Sequence, residues 1–371
     1  MRLLVVNWRD MRHPLAGGAE VHIHQIMSRL AQKYNHKILF LSNQNGGRLP
    51  SEETYDGVEF LRFGNEYNFN LNVAFRLRRI VGEFEPDLVI EDVNKIPFYS
   101  PLYTHKRVMV IIPHLFSKTI YKQTNFFIAS YIYLAEKLMP PIYKKCHIDV
   151  ISNSTKEDLI GRGYDPKDIS VIECGIDHSI YRPGESKFDR PTVCYTGRLK
   201  KYKSVHHLIY AAAEVIKVVP KARFVIIGDG DYLAELKKLT SYLKLENCVE
   251  FPGFVSSEEK VKLLQGCHCL AYTSIKEGWG ISNIEANACG TAVVAADVPG
   301  LRDSVEEGVS GLLYPYGDIK SLSKRIIEIL TDNELRYKLE KGATRWASKF
   351  TWENTAFRFN ELLMSRYLPS E

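Results

Sequence analysis

The sequence has little that could staple it covalently or through zinc. Its seven cysteines are scattered and no CxxC pair occurs among 371 residues. That pattern argues against a disulfide framework or a zinc site and predicts buried thiols in a reducing compartment, including Cys267 and Cys269, which flank His268 in an apolar run. Long apolar runs are missing too. The stretch 126–135 (FFIASYIYLA) falls well short of the roughly 20 residues needed to cross a bilayer. The chain opens on MRLLVVNW, a strand pattern, without the basic segment and apolar core of a secretory signal. The expectation is a cytoplasmic protein, soluble or held peripherally on the cytoplasmic face of a membrane, in which the Asn153-Ser154-Thr155 sequon has no meaning. No G-x-G-x-x-G follows the first strand, which speaks against a nicotinamide dehydrogenase. Charge is nearly balanced, with 49 Lys+Arg against 44 Asp+Glu. Anionic partners are tolerated but not required, and no nucleic-acid-binding motif is present.

What is present is a rhythm. Short β-rich apolar runs at 2–7, 37–42, 58–63, 87–91, 107–112 and 148–152 alternate with helix-length amphipathic segments. Ile23, Ile26, Met27 and Leu30 mark the first of these helices. Residues 174–191 break the rhythm with Gly, Pro and charge and read as a linker. A second series follows, with strands at 192–196, 223–227, 248–251, 268–272 and 292–296 and helices near 204–218, 231–244, 256–266 and 281–288. From 318 onward the pattern is helical. The length suits two domains, and βα alternation implies mainly parallel sheets covered on both faces. The expected fold is α/β, with an N-terminal domain over 1–180 and a C-terminal domain over 191–350. Ligands of such sheets bind beyond the carboxyl ends of the strands, so a cleft between the domains is the expected site.

Four segments of the second half suit one kind of ligand. Gly197-Arg198-Leu199-Lys200-Lys201-Tyr202-Lys203 follows the strand TVCYT and delivers Arg198 and Lys203 to a helix start, which suits a diphosphate. A solvated basic turn would look the same. Gly228-Asp229-Gly230-Asp231 permits a tight turn and close ligand approach, or is an ordinary turn with Asp231 capping the next helix. Glu277-Gly278-Trp279-Gly280-Ile281-Ser282-Asn283-Ile284-Glu285 opens a helix, with glycine-flanked amides able to meet an anion. Its two carboxylates suit the hydroxyls of a sugar and a ribose, although Glu277 could instead cap a helix and Glu285 pair with a lysine. Pro252-Gly253-Phe254-Val255 could cover a nucleobase or simply pack.

Arg198 with Lys203, and above all the E-x7-E pair Glu277 and Glu285, resemble the retaining glycosyltransferases called family 4, of the GT-B fold. The similarity runs through nearly the whole chain: AGGAEVHIHQIMSRLA resembles that family's glycine-rich loop and first helix. EANACGTAVVAADVPGLRDSVEEGVSGLLYPYGD resembles its C-domain tail, and TWENTAFRFNELL its last helix. The resemblance implies two Rossmann-like doubly wound domains facing across a cleft, with 351–371 crossing back to the N-terminal domain. It implies that Arg198 and Lys203 bind the donor diphosphate and that Gly17 and Gly18 approach it from the other domain. Glu277 would contact the donor sugar, aided by backbone amides of Gly278, Trp279, Gly280 and Ile281. Glu285 would hold the ribose, Val255 would meet the base through its backbone, and His114 would lie near the reacting sugar. Asn283 and Asn287 depart from the family pattern, which touches donor choice and no charged contact. No DxD pair stands in a metal-binding setting, and the family works without metal or other cofactor: the nucleoside-diphosphate sugar is a substrate.

The acceptor, a glycan or lipid-linked molecule, is expected on the N-terminal domain. Residues 116–145 interleave Phe116, Tyr121, Phe126, Phe127, Tyr131, Tyr133 and Tyr143 with Lys118, Lys122, Lys137, Lys144 and Lys145 against one acid, Glu136. An interfacial segment on an anionic membrane has this composition, and so does a core helix with lysines facing water. A nucleotide-sugar epimerase of the same fold, or a non-catalytic nucleotide-sugar-binding protein, shares most of these features. The presence of Arg198, Lys203, Glu277 and Glu285 together favours the transferase.

Overall fold

The computed structural model describes residues 1–94, 96–122 and 124–368. The chain divides into two compact units, Met1–Gly175 with Trp352–Glu371, and Ile176–Thr351.

Unit 1 starts with β1 (Arg2–Val6), α1 (Gly18–Tyr34), β2 (Lys37–Ser42), β3 (Glu52–Tyr55), β4 (Val58–Arg62), α2 (Phe69–Phe84) and β5 (Leu88–Asp92). It continues with β6 (Val108–Ile112), α3 (Phe126–Tyr143), β7 (His147–Val150), α4 (Asn153–Gly161) and β8 (Ile169–Val171). Among the described residues these strands form one sheet in the order β3-β4-β2-β1-β5-β6-β7-β8, parallel except where β3 runs against β4. Strand side chains alternate between faces, and the packing follows that period. Leu3 and Val5 of β1 join Ile23, Ile26 and Leu30 of α1 on one face, while Leu4 and Val6 join Phe69, Val73 and Leu77 of α2 on the other. Both faces are therefore covered, as continuous apolar strands require.

Unit 2 runs β9 (Thr192–Thr196), α5 (Val205–Val218), β10 (Arg223–Ile227), α6 (Leu233–Tyr242), β11 (Val249–Gly253), α7 (Ser257–Gly266) and β12 (Cys269–Tyr272). It ends with α8 (Ile281–Ala288), β13 (Ala292–Ala296), β14 (Gly311–Tyr314), α9 (Ile319–Thr331) and α10 (Asn333–Ala347). Its sheet order is β11-β10-β9-β12-β13-β14, all parallel. The last helix, α11 (Trp352–Tyr367), returns to unit 1, where Phe359 and Leu363 join the core beside α1 and Asn360 Oδ1 meets His36 Nε2 at 2.8 Å.

Most of the stretch read as a linker is packed on unit 2. Lys187 Nζ donates to Gln265 O, Gly290 O and Thr291 Oγ1, and Phe188 N donates to Gly266 O. Three short strands, β3, β8 and β14, were not anticipated from the sequence.

Candidate active site

In each sheet the chain begins at an inner strand, builds outward, then returns to that strand's other side. The reversal falls between β1 and β5 in unit 1 and between β9 and β12 in unit 2. Loops leaving such neighbouring strands diverge and leave a crevice at their carboxyl ends.

The unit 2 crevice is edged by Gly197–Lys203 after β9 and by 273–280 after β12. The two loops are tied together: Thr273 Oγ1 donates to Lys203 O at 3.0 Å and Ile275 N to Tyr202 O at 3.1 Å. Lys203 ends a short 3-10 turn, Lys201–Lys203, and is buried. Its Nζ lies 2.5 Å from Glu277 Oε1 and 3.4 Å from Tyr272 Oη, over the rings of Tyr202 and Tyr272. Burial by itself would lower its pKa, but the Glu277 carboxylate and the surrounding tyrosines outweigh it, so the ammonium is held above its ordinary range. Burial likewise pushes the Tyr272 phenol up to about 12, keeping it neutral. Tyr195 stacks on Tyr272 at 5.4 Å and floors this charged corner.

The Arg198 side chain is exposed and makes no hydrogen bond or ion pair with another described residue, while its backbone O accepts from Lys200 N at 3.1 Å. The amide N–H groups of Gly278, Trp279, Gly280 and Ile281 are also without a described partner as they lead into α8. The Trp279 side chain is buried edge-on against Phe350 at 5.2 Å. Glu285, on the second turn of α8, accepts from Lys260 Nζ at 2.7 Å, and the same ammonium donates to Tyr181 Oη at 3.2 Å. Val255 is half-buried against the unit 2 core beyond β11, next to the exposed Phe254.

Backbones approach very closely around this corner. A Cβ on Gly228 would stand 2.1 Å from Gly197 O, and Leu199 N donates to Asp229 O at 2.8 Å, so the loops after β9 and β10 interlock. Asp231 does not cap α6; it pairs with Lys200 Nζ at 2.7 Å, and Tyr232 takes the cap position. A Cβ on Gly300 would stand 2.1 Å from Glu277 O. Gly300→Ala, at φ +83, should therefore displace Glu277 and destabilise the chain by about 1–3 kcal/mol. Thermal unfolding and turnover measured together should both fall; an unchanged melting temperature contradicts the packing described. Asn283 and Asn287 have structural work. Asn283 Nδ2 donates to Ser304 Oγ, and Asn287 Nδ2 to Thr291 O and Ser310 O, fastening α8 to the loops around β13.

Gly17, Gly18 and His114 lie in unit 1. Gly17 caps α1, with its N–H donating to Glu20 Oε2 at 2.8 Å, and Gly18 begins the helix. His114 is half-buried after β6, edge-on to Phe116 at 4.8 Å. At the β1/β5 reversal, Asn94 Nδ2 donates to Asn7 Oδ1 and Glu20 Oε1. Asp92 is fully buried beside them, and burial, then the charges of Glu20 and Glu91, raise its pKa well above the ordinary carboxylate range. These polar residues were not singled out in the sequence. The only hint was E-D-V-N at the end of an otherwise apolar strand.

A model of the glycosyl transferases group 1 matches residues 179–346, and one of glycosyltransferase family 4 matches residues 16–180. A D-inositol 3-phosphate glycosyltransferase of Corynebacterium urealyticum is 30% identical over 240 residues, 58% of this chain; the match spans 57% of that relative, little more than half its length. An uncharacterised glycosyltransferase of Methanocaldococcus jannaschii is 23% identical over 94% of this chain and 95% of its own. Among solved structures, sucrose-phosphate synthase from Thermosynechococcus elongatus superposes with a TM-score of 0.82 at 20% identity, covering 98% of both chains. Anabaena HepE, solved with UDP and glucose, gives 0.77 at 20% identity over 98% of this chain and all of its own.

Proposed function

Because this chain belongs to the group 1 and family 4 glycosyltransferases, with their GT-B fold, we propose that it is a retaining, metal-independent enzyme moving a hexose from a nucleoside-diphosphate sugar to an acceptor hydroxyl. The observation that carries this reading is the corner at the β9/β12 reversal. A buried, protonated Lys203, an exposed Arg198 and a row of amides entering α8 gather positive charge where a diphosphate would sit. UDP bound to the Anabaena protein of the same fold is a precedent for such a donor.

Transfer breaks the bond between the sugar C1 and the donor phosphate oxygen while the acceptor oxygen bonds C1 on the same face. The acceptor's proton passes to the leaving phosphate oxygen. Negative charge grows on the diphosphate, and cations aimed at it stabilise the transition state more than the ground state. Arg198, Lys203 and the α8 amides take the part that a divalent cation plays elsewhere. Glu277, already against Lys203, orients the donor sugar, and Glu285 accepts from the ribose hydroxyls. A lipid-linked glycan on the cytoplasmic face of a membrane is the proposed acceptor, supported by the basic and aromatic stretch of unit 1.

Thermal unfolding with UDP-, GDP- and ADP-sugars tests the donor, since a ligand at a hundredfold excess over its Kd adds about 2.7 kcal/mol. No stabilisation by any of them contradicts the proposal. Consumption of the stabilising donor without acceptor, giving an epimer, identifies an epimerase instead. Glu285→Gln should weaken nucleotide binding by about tenfold or more, the worth of a hydrogen bond to a charged group. The variant should then bind 2′-deoxy and ribo nucleotides alike; continued preference for the ribo form rules out this role.

A further inference from the structure

We propose that α3 is a membrane-docking helix whose outer face lies in the interface of an anionic bilayer. Most of its exposed apolar residues form one stripe, and Ile128, 48% exposed, widens the apolar surface at the first turn. Phe127, Tyr131, Leu134 and Leu138 recur at helical spacing, Phe126 lies beside them at the first turn, and Phe127 is 84% exposed. A soluble helix turns such a face inward, and a contiguous exposed apolar patch marks an interaction surface. The helix does bury its opposite side, where Ala129, Ala135, Met139 and Tyr143 meet unit 1. Both faces are thus apolar.

The charge around the stripe selects the partner. Lys137, Lys144 and Lys145 are exposed on or just beyond the helix. Lys118 and Lys122, counted in this stretch from the sequence, have side chains outside the described residues. The one acid between 116 and 145, Glu136, is 2% exposed and faces away from the stripe. It accepts from the amides of Phe116 and Ser117, with Arg162 Nη2 3.6 Å away. A surface of aromatics and leucines with exposed lysines at its edge, and no exposed acid between residues 116 and 145, complements anionic headgroups over an acyl layer. A second protein would supply carboxylates and also require hydrogen-bonding partners, which this stripe lacks except at Tyr131. No helix among the described residues is long and apolar enough to cross a membrane, so the contact is interfacial. Docking does not depend on the transferase reading. Only its consequence, a lipid-borne acceptor, rests on that reading, and binding is therefore measured apart from turnover.

The full chain is floated with vesicles of phosphatidylcholine, with and without phosphatidylglycerol. Binding should require phosphatidylglycerol and weaken in high salt. The triple variant Lys137→Gln, Lys144→Gln, Lys145→Gln should partition about a hundredfold more weakly, from roughly one kcal/mol per lysine. Phe127→Glu with Leu134→Glu should abolish binding yet leave the melting temperature and its increase with nucleotide unchanged, because both side chains are already exposed. Phe127→Trp adds a direct reporter, with emission shifting blue on anionic vesicles. Equal binding to neutral vesicles, undiminished binding by the double glutamate variant, or a dimer that the same variant dissolves without any vesicle binding each overturns the proposal.

Discussion

Arg198→Ala and Lys203→Ala should each lower turnover by about 10²–10³, the usual consequence of removing one preorganised charge from a developing anion. The two side chains reach that result from opposite environments, and the contrast makes the test informative. The Arg198 side chain is exposed and has no partner among the described residues, so its loss should leave the melting temperature unchanged and fall on kcat as well as KM. Lys203 is buried against Glu277, and its removal leaves that carboxylate without its cation, so stability falls too. Lys203 also sets the pH behaviour. Its pKa in the folded chain lies above the ordinary 10.5, so the charge and the stability it lends are complete below that value. They are lost only as pH rises through the higher folded value. The rate should show no Lys203 inflection between neutrality and 10.5. Arg198→Ala turning over at the wild-type rate contradicts the assignment without any question of misfolding.

Asp10→Ala should destabilise unit 1 by about 1.5–3 kcal/mol, the worth of a hydrogen bond between charged groups, because Arg62 loses Asp10 but keeps Glu53 Oε2 at 3.0 Å. Arg62 is fully buried and its Nε lies 2.6 Å from Asp10 Oδ2, which also accepts from Ser42 Oγ at 2.6 Å. Asp10 Oδ1 accepts from the Arg12 amide at 2.9 Å, so the pair anchors the loop that leads to Gly17 and Gly18. Arg9 braces the same loop through Leu15 O and Glu66. Burial alone would raise the Asp10 pKa, but the hydrogen bonds from Arg62 and Ser42 and the Arg62 charge hold it below 3.8. The sign follows from linkage: this stabilisation is complete above the unfolded value near 3.8 and is lost as pH falls through the lower folded value. Chemical denaturation of wild type and Asp10→Ala should differ widely at neutral pH and converge in acid below 3.8. A difference under about 1 kcal/mol at neutral pH, typical of exposed pairs, contradicts the buried-pair account.

The alternation of apolar runs and amphipathic helices was enough to read the two α/β halves, because strands such as 192–196 are covered on both faces and advertise it. β3 escaped notice because it is a polar edge strand, E-E-T-Y, with no apolar alternation. β8 has only three residues, and β14 begins at Gly311, whose Cβ would strike Val293 O. Glycine there looks like a loop in sequence and is a tight strand contact in space. The motifs fall around one corner of unit 2 but do not reveal its wiring. Glu277 and Lys203 are 74 positions apart, and no local pattern says that they meet. A lysine beside Glu285 was one reading of the sequence, but no local pattern says that it is Lys260, 25 positions away, which also holds Tyr181. The position of Asp231 before a helix suits a cap, one of the two readings of its turn, and the nearby Lys200 claims it instead.

The proposed chemistry requires a diphosphate at the corner of unit 2. A crystal structure of the full chain with a nucleoside diphosphate measures this directly. The predicted density has phosphate oxygens within hydrogen-bonding distance of Lys203 Nζ, the Arg198 guanidinium and the amides of Gly278 to Ile281, and the ribose against Glu285. A nucleotide well ordered elsewhere, with the corner between Lys203 and the start of α8 unfilled, contradicts it.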